Sequence, residues 1–294
     1  MHILIYGHRA RQKDIPVVIS LLEKLQAVNI TFSIFSGFAR QLIKLGMNQV
    51  ESYDQWSDHD ELRAQKADCM ITLGGDGTIL TAITHVKDSQ LPILGINLGR
   101  LGFLASTEKN KITEALEQLR EGDYAIENRT MLHLESSPKI FIDTNFALND
   151  FTLHKRDTSS MIIIHAYVNG DFLNSYWADG IIVSTPTGST GYSLSCGGPI
   201  VFPKSGNLII TPVAPHNLNV RPIVISDKSV ITFEIEGRSA NFLCTLDSRS
   251  ETITTKHQLA VRKNDFSARM IRPHGTTFLQ TIHEKLSWGI DHRN

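Results

Sequence analysis

Through the first 125 residues, apolar positions switch between short β-rich runs and helical spacing. Ile3-Leu4-Ile5-Tyr6 reads as a strand, Ile15, Val18, Ile19, Leu22 and Leu25 share one face of a helix over 14–28, and Thr31 to Phe35 alternates as a second strand. Gly46 marks the end of the next helix. The apolar run from Ala67 to Leu73 leads directly into Gly74-Gly75-Asp76-Gly77-Thr78, after which Ile79, Leu80, Ile83 and Val86 recur with a helical period. That order predicts strand, glycine loop, helix. Pro92 to Ile96 gives another buried strand, and Ile112, Ala115, Leu116 and Leu119 line an amphipathic helix ending near Gly122. Repeated βα units of this kind build a parallel sheet.

After about residue 125 the pattern changes to β-branched runs separated by turn signals. Asn169-Gly170, between Ile162–Val168 and Phe172–Tyr176, predicts a type I′ hairpin. Asp227-Lys228, Glu236-Gly237 and Asp247-Ser248 predict further turns of an antiparallel set. Helical spacing returns over 277–290 through Phe278, Ile282 and Leu286, so the tail is expected to dock back on the first domain. With 294 residues and roughly 100–200 per domain, two domains are expected: 1–125 with 276–294 as an α/β domain, and 126–275 as a β-rich one.

Composition narrows the class. Hydrophobic residues make up 41% and charged residues 20%, ordinary globular usage that excludes a disordered, collagen-like or coiled-coil chain. Lys and Arg number 29 against 30 Asp and Glu, a formal net charge of -1, so no general attraction to nucleic acid or anionic lipid is encoded. Any phosphate chemistry has to be local. Cys69, Cys196 and Cys244 are far apart, odd in number and without metal-ligand spacing, which argues against a disulfide scaffold or a protein-held metal site. The first seven residues lack the features of a signal peptide, and no apolar run approaches the ~20 residues that span a bilayer. A cytoplasmic protein with no membrane partner is expected.

Three segments carry candidate chemistry. In the 74–78 loop, glycines leave room for phosphate oxygens to approach the backbone N–H groups of Gly74, Gly75, Gly77 and Thr78, and a helix start adds positive potential. Asp76 stands out, because a carboxylate beside phosphate is repulsive unless it binds Mg²⁺ or accepts a proton from an attacking hydroxyl. A tight turn with an Asp helix cap is the other reading of the same residues. No Walker loop follows, and Gly95, Gly99 and Gly102 do not form GxGxxG. The second segment, Asn97 to Leu104, crosses from a strand into a loop. In the third, Thr185 to Ser195, six hydroxyl side chains besides Tyr192 surround two glycines and a proline. It offers donors and acceptors to ribose and base edges and a ring face to adenine, or it is a Ser/Thr-rich surface turn.

Taken in order, GGDGT at 74–78, NLGRLGFL at 97–104, Asn149-Asp150, Asp179-Gly180, TPTGSTGYSLS at 185–195, Gly197-Gly198-Pro199 and Pro215-His216 resemble the bacterial NAD kinase family. The GGDGT loop alone is shared with lipid kinases and phosphofructokinases, whereas the TPTGSTGY block is specific. The resemblance implies a Rossmann-like N-terminal domain, a β-sandwich-like C-terminal domain with the last helix returning to the first, and a homodimer or homotetramer. It implies transfer of the γ-phosphoryl of ATP to the 2′-hydroxyl of the adenosine ribose of NAD, with Mg²⁺ or another divalent cation. Asp76 matches the catalytic aspartate, accepting the hydroxyl proton late in the reaction. Gly77, Asn149, Asp150, Asp179, Thr190, Gly191, Tyr192 and Ser195 match NAD-contacting positions, as does Asp76 itself.

This chain departs from the family pattern at four places. Asn149-Asp150 stands where Asn-Glu is usual, Gly191 where alanine is commoner, Trp177 where a basic residue precedes Asp179 by two, and Asp247-Ser248-Arg249 where Asp-Gly-Gln is usual. Two other readings therefore stay open. One is a lipid kinase sharing the glycine loop, which the missing membrane-binding segment disfavours. The other is a non-catalytic NAD or NADP sensor, motivated by the shorter reach of Asp150. Cys196 is expected to be a small filler beside the loop rather than a nucleophile. The resemblance does not choose between ATP and polyphosphate as donor or between NAD and NADH as acceptor.

Overall fold

The structure, a computed structural model, describes residues 1–99, 102–105, 107–156, 161–217, 219–237, 240–274 and 277–286. Arg100 and Leu101 of the 97–104 segment, residues 287–290 of the expected last helix, and residue 276 lie outside the described residues. The chain divides into two units, Met1–Asn128 with Arg269–Asn294, and Arg129–Ala268.

The first unit opens as a βα succession. Strands β1 (His2–Gly7), β2 (Thr31–Phe35), β3 (Gln55–Trp56), β4 (Cys69–Leu73), β5 (Ile93–Asn97), β6 (Thr107–Glu108) and β7 (Tyr124–Arg129) are interleaved with helices α1 (Ile15–Ala27), α2 (Ser36–Lys44), α3 (His59–Ala64), α4 (Asp76–Val86) and α5 (Ile112–Glu121). β1 pairs in parallel with β2 and β4, and β4 with β5, in register Ile5 opposite Ile71 and Ile71 opposite Leu94. Ile3, Ile5, Ile71, Ile96, Leu22, Leu42 and Leu116 share one apolar core, which is why β1, β4 and β5 read as apolar runs and the helices as one-sided stripes. Gly46 and Gly122 follow α2 and α5 with φ of 95° and 74°, left-handed stops that suit glycine.

The second unit is antiparallel. Its strands are β8 (Leu132–Ser137), β9 (Phe146–Ala147), β10 (Asp150–Lys155), β11 (Ile162–Val168), β12 (Asp171–Ala178), β13 (Gly180–Ser184), β14 (Asn207–Val213), β15 (Ile223–Ser226), β16 (Ile231–Glu236), β17 (Phe242–Leu246), β18 (Arg249–Ile253) and β19 (Gln258–Lys263), with the one-turn helix α6 at Tyr192–Ser195. They form two six-stranded sheets, ordered β15-β14-β13-β10-β17-β18 and β12-β11-β16-β19-β8-β9. Phe151 of one sheet stacks on Phe233 of the other with ring centroids 5.5 Å apart, inside a core that draws on both. The Asn169-Gly170 turn joins β11 to β12 with φ of 54° and 91°, both in the left-handed region that a type I′ turn needs.

The chain then re-enters the first unit's sheet through β20 (Ala268–Pro273), which pairs in parallel with β5, and ends its described course in α7 (Phe278–Leu286). The completed sheet runs β3-β2-β1-β4-β5-β20-β7, with β6 beside β5. Its order reverses between β1 and β4. The carboxyl ends of the strands flanking such a reversal are where open parallel sheets hold ligands, and the 74–78 loop leaves the carboxyl end of β4.

Candidate active site

In the first unit, the geometry is organised by Asp76, the opening residue of α4. Its Oδ2 accepts the N–H of Phe103 at 2.8 Å, and its Oδ1 accepts those of Leu104 at 3.0 Å and Ala105 at 2.9 Å. A carboxylate offers about four lone-pair positions, so three are filled by this loop and, among the described residues, one, on Oδ2, is left over. Gly102 makes the approach possible, since a Cβ there would overlap Asp76 Oδ1. The other loop residues divide by what their N–H groups do. That of Gly74 donates to Ile96 O at 3.0 Å and that of Thr78 to Gly75 O at 2.9 Å. Gly75 and Gly77 are exposed at the helix start, where first-turn N–H groups have no partner inside the helix.

In the second unit, the 185–195 segment sorts its hydroxyls into two sets. Thr185, Thr187, Ser189 and Ser193 are buried and hold the loop. Thr185 Oγ1 donates to Leu148 O at 2.6 Å and accepts Gly188 N–H at 3.1 Å, and Ser189 Oγ donates to Pro186 O at 2.7 Å and accepts Val201 N–H at 3.0 Å. Ser193 Oγ and Thr211 Oγ1 lie 2.8 Å apart and share a hydrogen bond. Gly188 lies against Asn149 O and leaves no room for a Cβ. Thr190, Tyr192 and Ser195 remain at the surface, Tyr192 41% exposed. Four of the six hydroxyls are therefore structural, and only those of Thr190 and Ser195 are left toward a ligand, because a loop buried against β13 must satisfy its own backbone.

Asn149 and Asp150 enter β10 beside this loop. Asn149 O accepts the N–H of Thr185 at 2.9 Å, while its carboxamide makes no hydrogen bond among the described residues. Asp150 is buried, 8% exposed, with Thr152 Oγ1 donating to its Oδ1 at 3.4 Å. Burial and the neighbouring Asp247 push its carboxyl up to about 7, against a smaller downward pull from Thr152. Asp179, at the β12–β13 turn, is ion-paired with Lys155 Nζ at 2.5 Å. Cys196 is half-buried beside Tyr192, and burial raises its thiol, which suits a filler and not a nucleophile.

Asp247 was legible only as a turn and a departure from the family pattern. Folded, its φ of 53° places it at the head of the β17–β18 hairpin. There its carboxylate accepts the N–H groups of Leu148 at 2.9 Å, Asn149 at 2.7 Å and Asp150 at 3.2 Å. Arg249 lies 4.0 Å from it, donates to the carbonyls of Thr144 and Phe146, and stacks over the Phe146 ring. Together Asp247 and Arg249 fix the backbone from 144 to 150. The signal that could have found them is the acidic residue of the family's Asp-Gly-Gln position, retained here while its neighbours change.

No three His, Cys, Asp or Glu side chains gather into a metal-ligand cluster among the described residues. A single carboxylate with one lone pair left does not make a resident site for a hard cation that demands six oxygens.

Two family models cover most of the chain: the ATP-NAD kinase N-terminal domain matches residues 8–124 and the ATP-NAD kinase C-terminal domain residues 148–273. Among curated relatives, a protein named NAD kinase from Cytophaga hutchinsonii is 46% identical over 290 residues, covering 99% of both chains. Another of that name from Bacteroides fragilis is 41% identical over 296 residues, covering both chains fully. Among solved structures, yeast NADH kinase complexed with NADH shares the fold with a TM-score of 0.85 at 22% identity, covering 99% of this chain and 88% of that one. An NAD kinase from Archaeoglobus fulgidus in complex with ATP gives 0.76 at 24%, covering 98% and 100%. The lipid-kinase reading falls, since the match includes the 185–195 block that lipid kinases were not expected to carry. The chain belongs to the NAD kinase family, and so to the phosphotransferases.

Proposed function

We propose that the protein transfers the γ-phosphoryl group of ATP to the 2′-hydroxyl of the adenosine ribose of NAD, giving NADP and ADP. The observation that carries this reading is Asp76: among the described residues it retains one lone pair at the start of α4 within an intact GGDGT loop, in a chain that matches the family over nearly its whole length. The leftover position on Oδ2 suits acceptance of the 2′-hydroxyl proton as the oxygen attacks phosphorus. Most of the acceleration comes from alignment and charge neutralisation, as in phosphoryl transfer generally. The N–H groups of Gly75 and Gly77 at the helix start are the donors left for phosphate oxygens, with Gly74 shaping the turn and the Thr78 hydroxyl beside it. Mg²⁺ enters as part of the nucleotide substrate, held by phosphate oxygens rather than by a protein cage.

Asn149, Asp150, Asp179, Thr190, Gly191, Tyr192 and Ser195 are assigned to the dinucleotide. The Asn149 carboxamide suits an adenine edge, Tyr192 a base face, and Thr190 and Ser195 its hydroxyl and phosphate groups. A homo-oligomer in the cytoplasm is the expected working form. The test is incubation of the protein with NAD, ATP and Mg²⁺, read through an NADP-specific dehydrogenase, with parallel arms for polyphosphate and for NADH. NADP formation supports the reading. Tight NAD binding without turnover from any donor would replace it with the sensor.

A further inference from the structure

The two buried carboxyls behind the 185–195 loop are held unequally. Asp247 takes three backbone N–H groups and lies near Arg249, whereas among the described residues Asp150 has one long bond, from Thr152. The backbones of the two residues bond to each other, Asp247 N–H to Asp150 O at 2.9 Å and Asp150 N–H to Asp247 Oδ1 at 3.2 Å. The Arg249 guanidinium stands 4.0 Å from Asp247, while Asp150 has no ion pair among the described residues, so a charge on Asp150 would be uncompensated away from water, and such a pair takes up a proton. The unequal bonding decides where it sits.

We propose that Asp150 and Asp247 hold one proton between them, seated on Asp150, so that Asp150 meets the dinucleotide as a neutral carboxylic acid, donor as well as acceptor. This rests on the assignment of Asp150 to NAD made above. The surrounding groups favour the neutral form. β17 contributes Asp247 at its end and the buried Cys244 thiol, while β18 contributes Arg249. β13 has no titratable side chain. Around α6, Tyr192 and Cys196 are uncharged at neutral pH, and the Asp179 charge is matched by Lys155. A pyrophosphate dianion arriving nearby adds negative potential, so binding draws a proton from solvent onto Asp150.

The experiment is NAD affinity between pH 6 and 8.5, by calorimetry in buffers of different ionisation enthalpy, for the full chain and for Asp150→Asn. With the Asp150 carboxyl at about 7, the competent neutral fraction falls about 30-fold over that range, and apparent affinity falls with it. The wild type is expected to take up protons on binding and weaken with rising pH. Asp150→Asn, which keeps donor and acceptor, is expected to do neither. Arg249→Gln, which removes the compensating charge, is expected to move the pH course upward. A flat wild-type profile, or an Asp150→Asn profile that follows the wild type, overturns the proposal.

Unfolding in urea without ligand decides the pair separately. A carboxyl raised in the folded state stabilises fully below its unfolded value and loses that contribution as pH rises through the folded one. The wild-type midpoint is therefore expected to drop relative to Asp150→Asn between pH 5 and 8. If NAD binds at no pH, the functional reading fails, and parallel unfolding profiles would then sink the carboxyl pair as well.

Discussion

Asp76 occupies the space that a side chain at Gly102 would need: a Cβ on Gly102 would overlap Asp76 Oδ1. The 102–105 backbone and the α4 carboxylate thus define each other's position. Gly102→Ala is expected to push Asp76 out of the loop, lowering NADP formation roughly 100-fold, the cost of a displacement near 1 Å at a reacting group. Steady-state rates with a circular-dichroism melt separate this from unfolding, since the fold is expected to survive.

Asp247 is the stability counterpart. Replacing it with alanine strands three buried N–H groups and leaves Arg249 with only its carbonyl partners and the Phe146 ring. A loss of roughly 3–5 kcal/mol is expected from removing a buried, multiply bonded carboxylate. Urea unfolding of Asp247→Ala, set against a surface control such as Asp60→Ala, measures it. A loss below about 1 kcal/mol, the range of a surface substitution, would remove Asp247 from this role.

The course of β1, α1, β4, α4, β5 and α5 could be read locally because those strands are continuous apolar runs and those helices one-sided stripes, whereas β3 (Gln55–Trp56), β6 (Thr107–Glu108) and β7 (Tyr124–Arg129) carry no such run and went unread. Ile3-Leu4-Ile5-Tyr6, Cys69–Leu73 and α4 fall where the pattern puts them. α3 was overlooked although Asp58 caps it, its Oδ1 accepting Glu61 N–H at 2.9 Å while Glu61 bonds back to Ser57 N–H at 2.7 Å; that Asp-x-x-Glu signal is local and readable. β20 could not be found in the same way. Its place next to β5 depends on a pairing between Met270 and Ile93, and no short-range pattern encodes a partner so far away in sequence. Asp247 failed for the same reason, its bonded N–H groups lying 97 to 99 residues earlier. Composition of the 185–195 segment showed many hydroxyls but not which would be buried.

The three thiols differ in reach. Burial pushes Cys69 up to about 12 and Cys244 higher still, and Cys196 is raised less. A thiol-disulfide reagent at pH 8 is expected to modify one cysteine per chain, Cys196, with the other two released only in denaturant. NAD is expected to slow the first reaction, because Cys196 sits beside Tyr192. Mass spectrometry of the modified peptide checks the assignment.

Lys155 restrains Asp179 through their 2.5 Å ion pair. Lys155→Met keeps the aliphatic stem and releases the carboxylate. KM for NAD is expected to rise several-fold with kcat within about twofold, the pattern of lost binding common to ground and transition states. An unchanged KM would place Asp179 outside the dinucleotide site.

The most direct test of the account compares wild type with Asp76→Asn for both NAD binding and NADP formation, at saturating ATP and Mg²⁺. Loss of the proton acceptor is expected to lower kcat by roughly 10²–10⁴-fold, the range of general-base contributions, while the dissociation constant for NAD stays within about threefold. A variant that forms NADP within a few-fold of the wild-type rate would contradict the role given to Asp76.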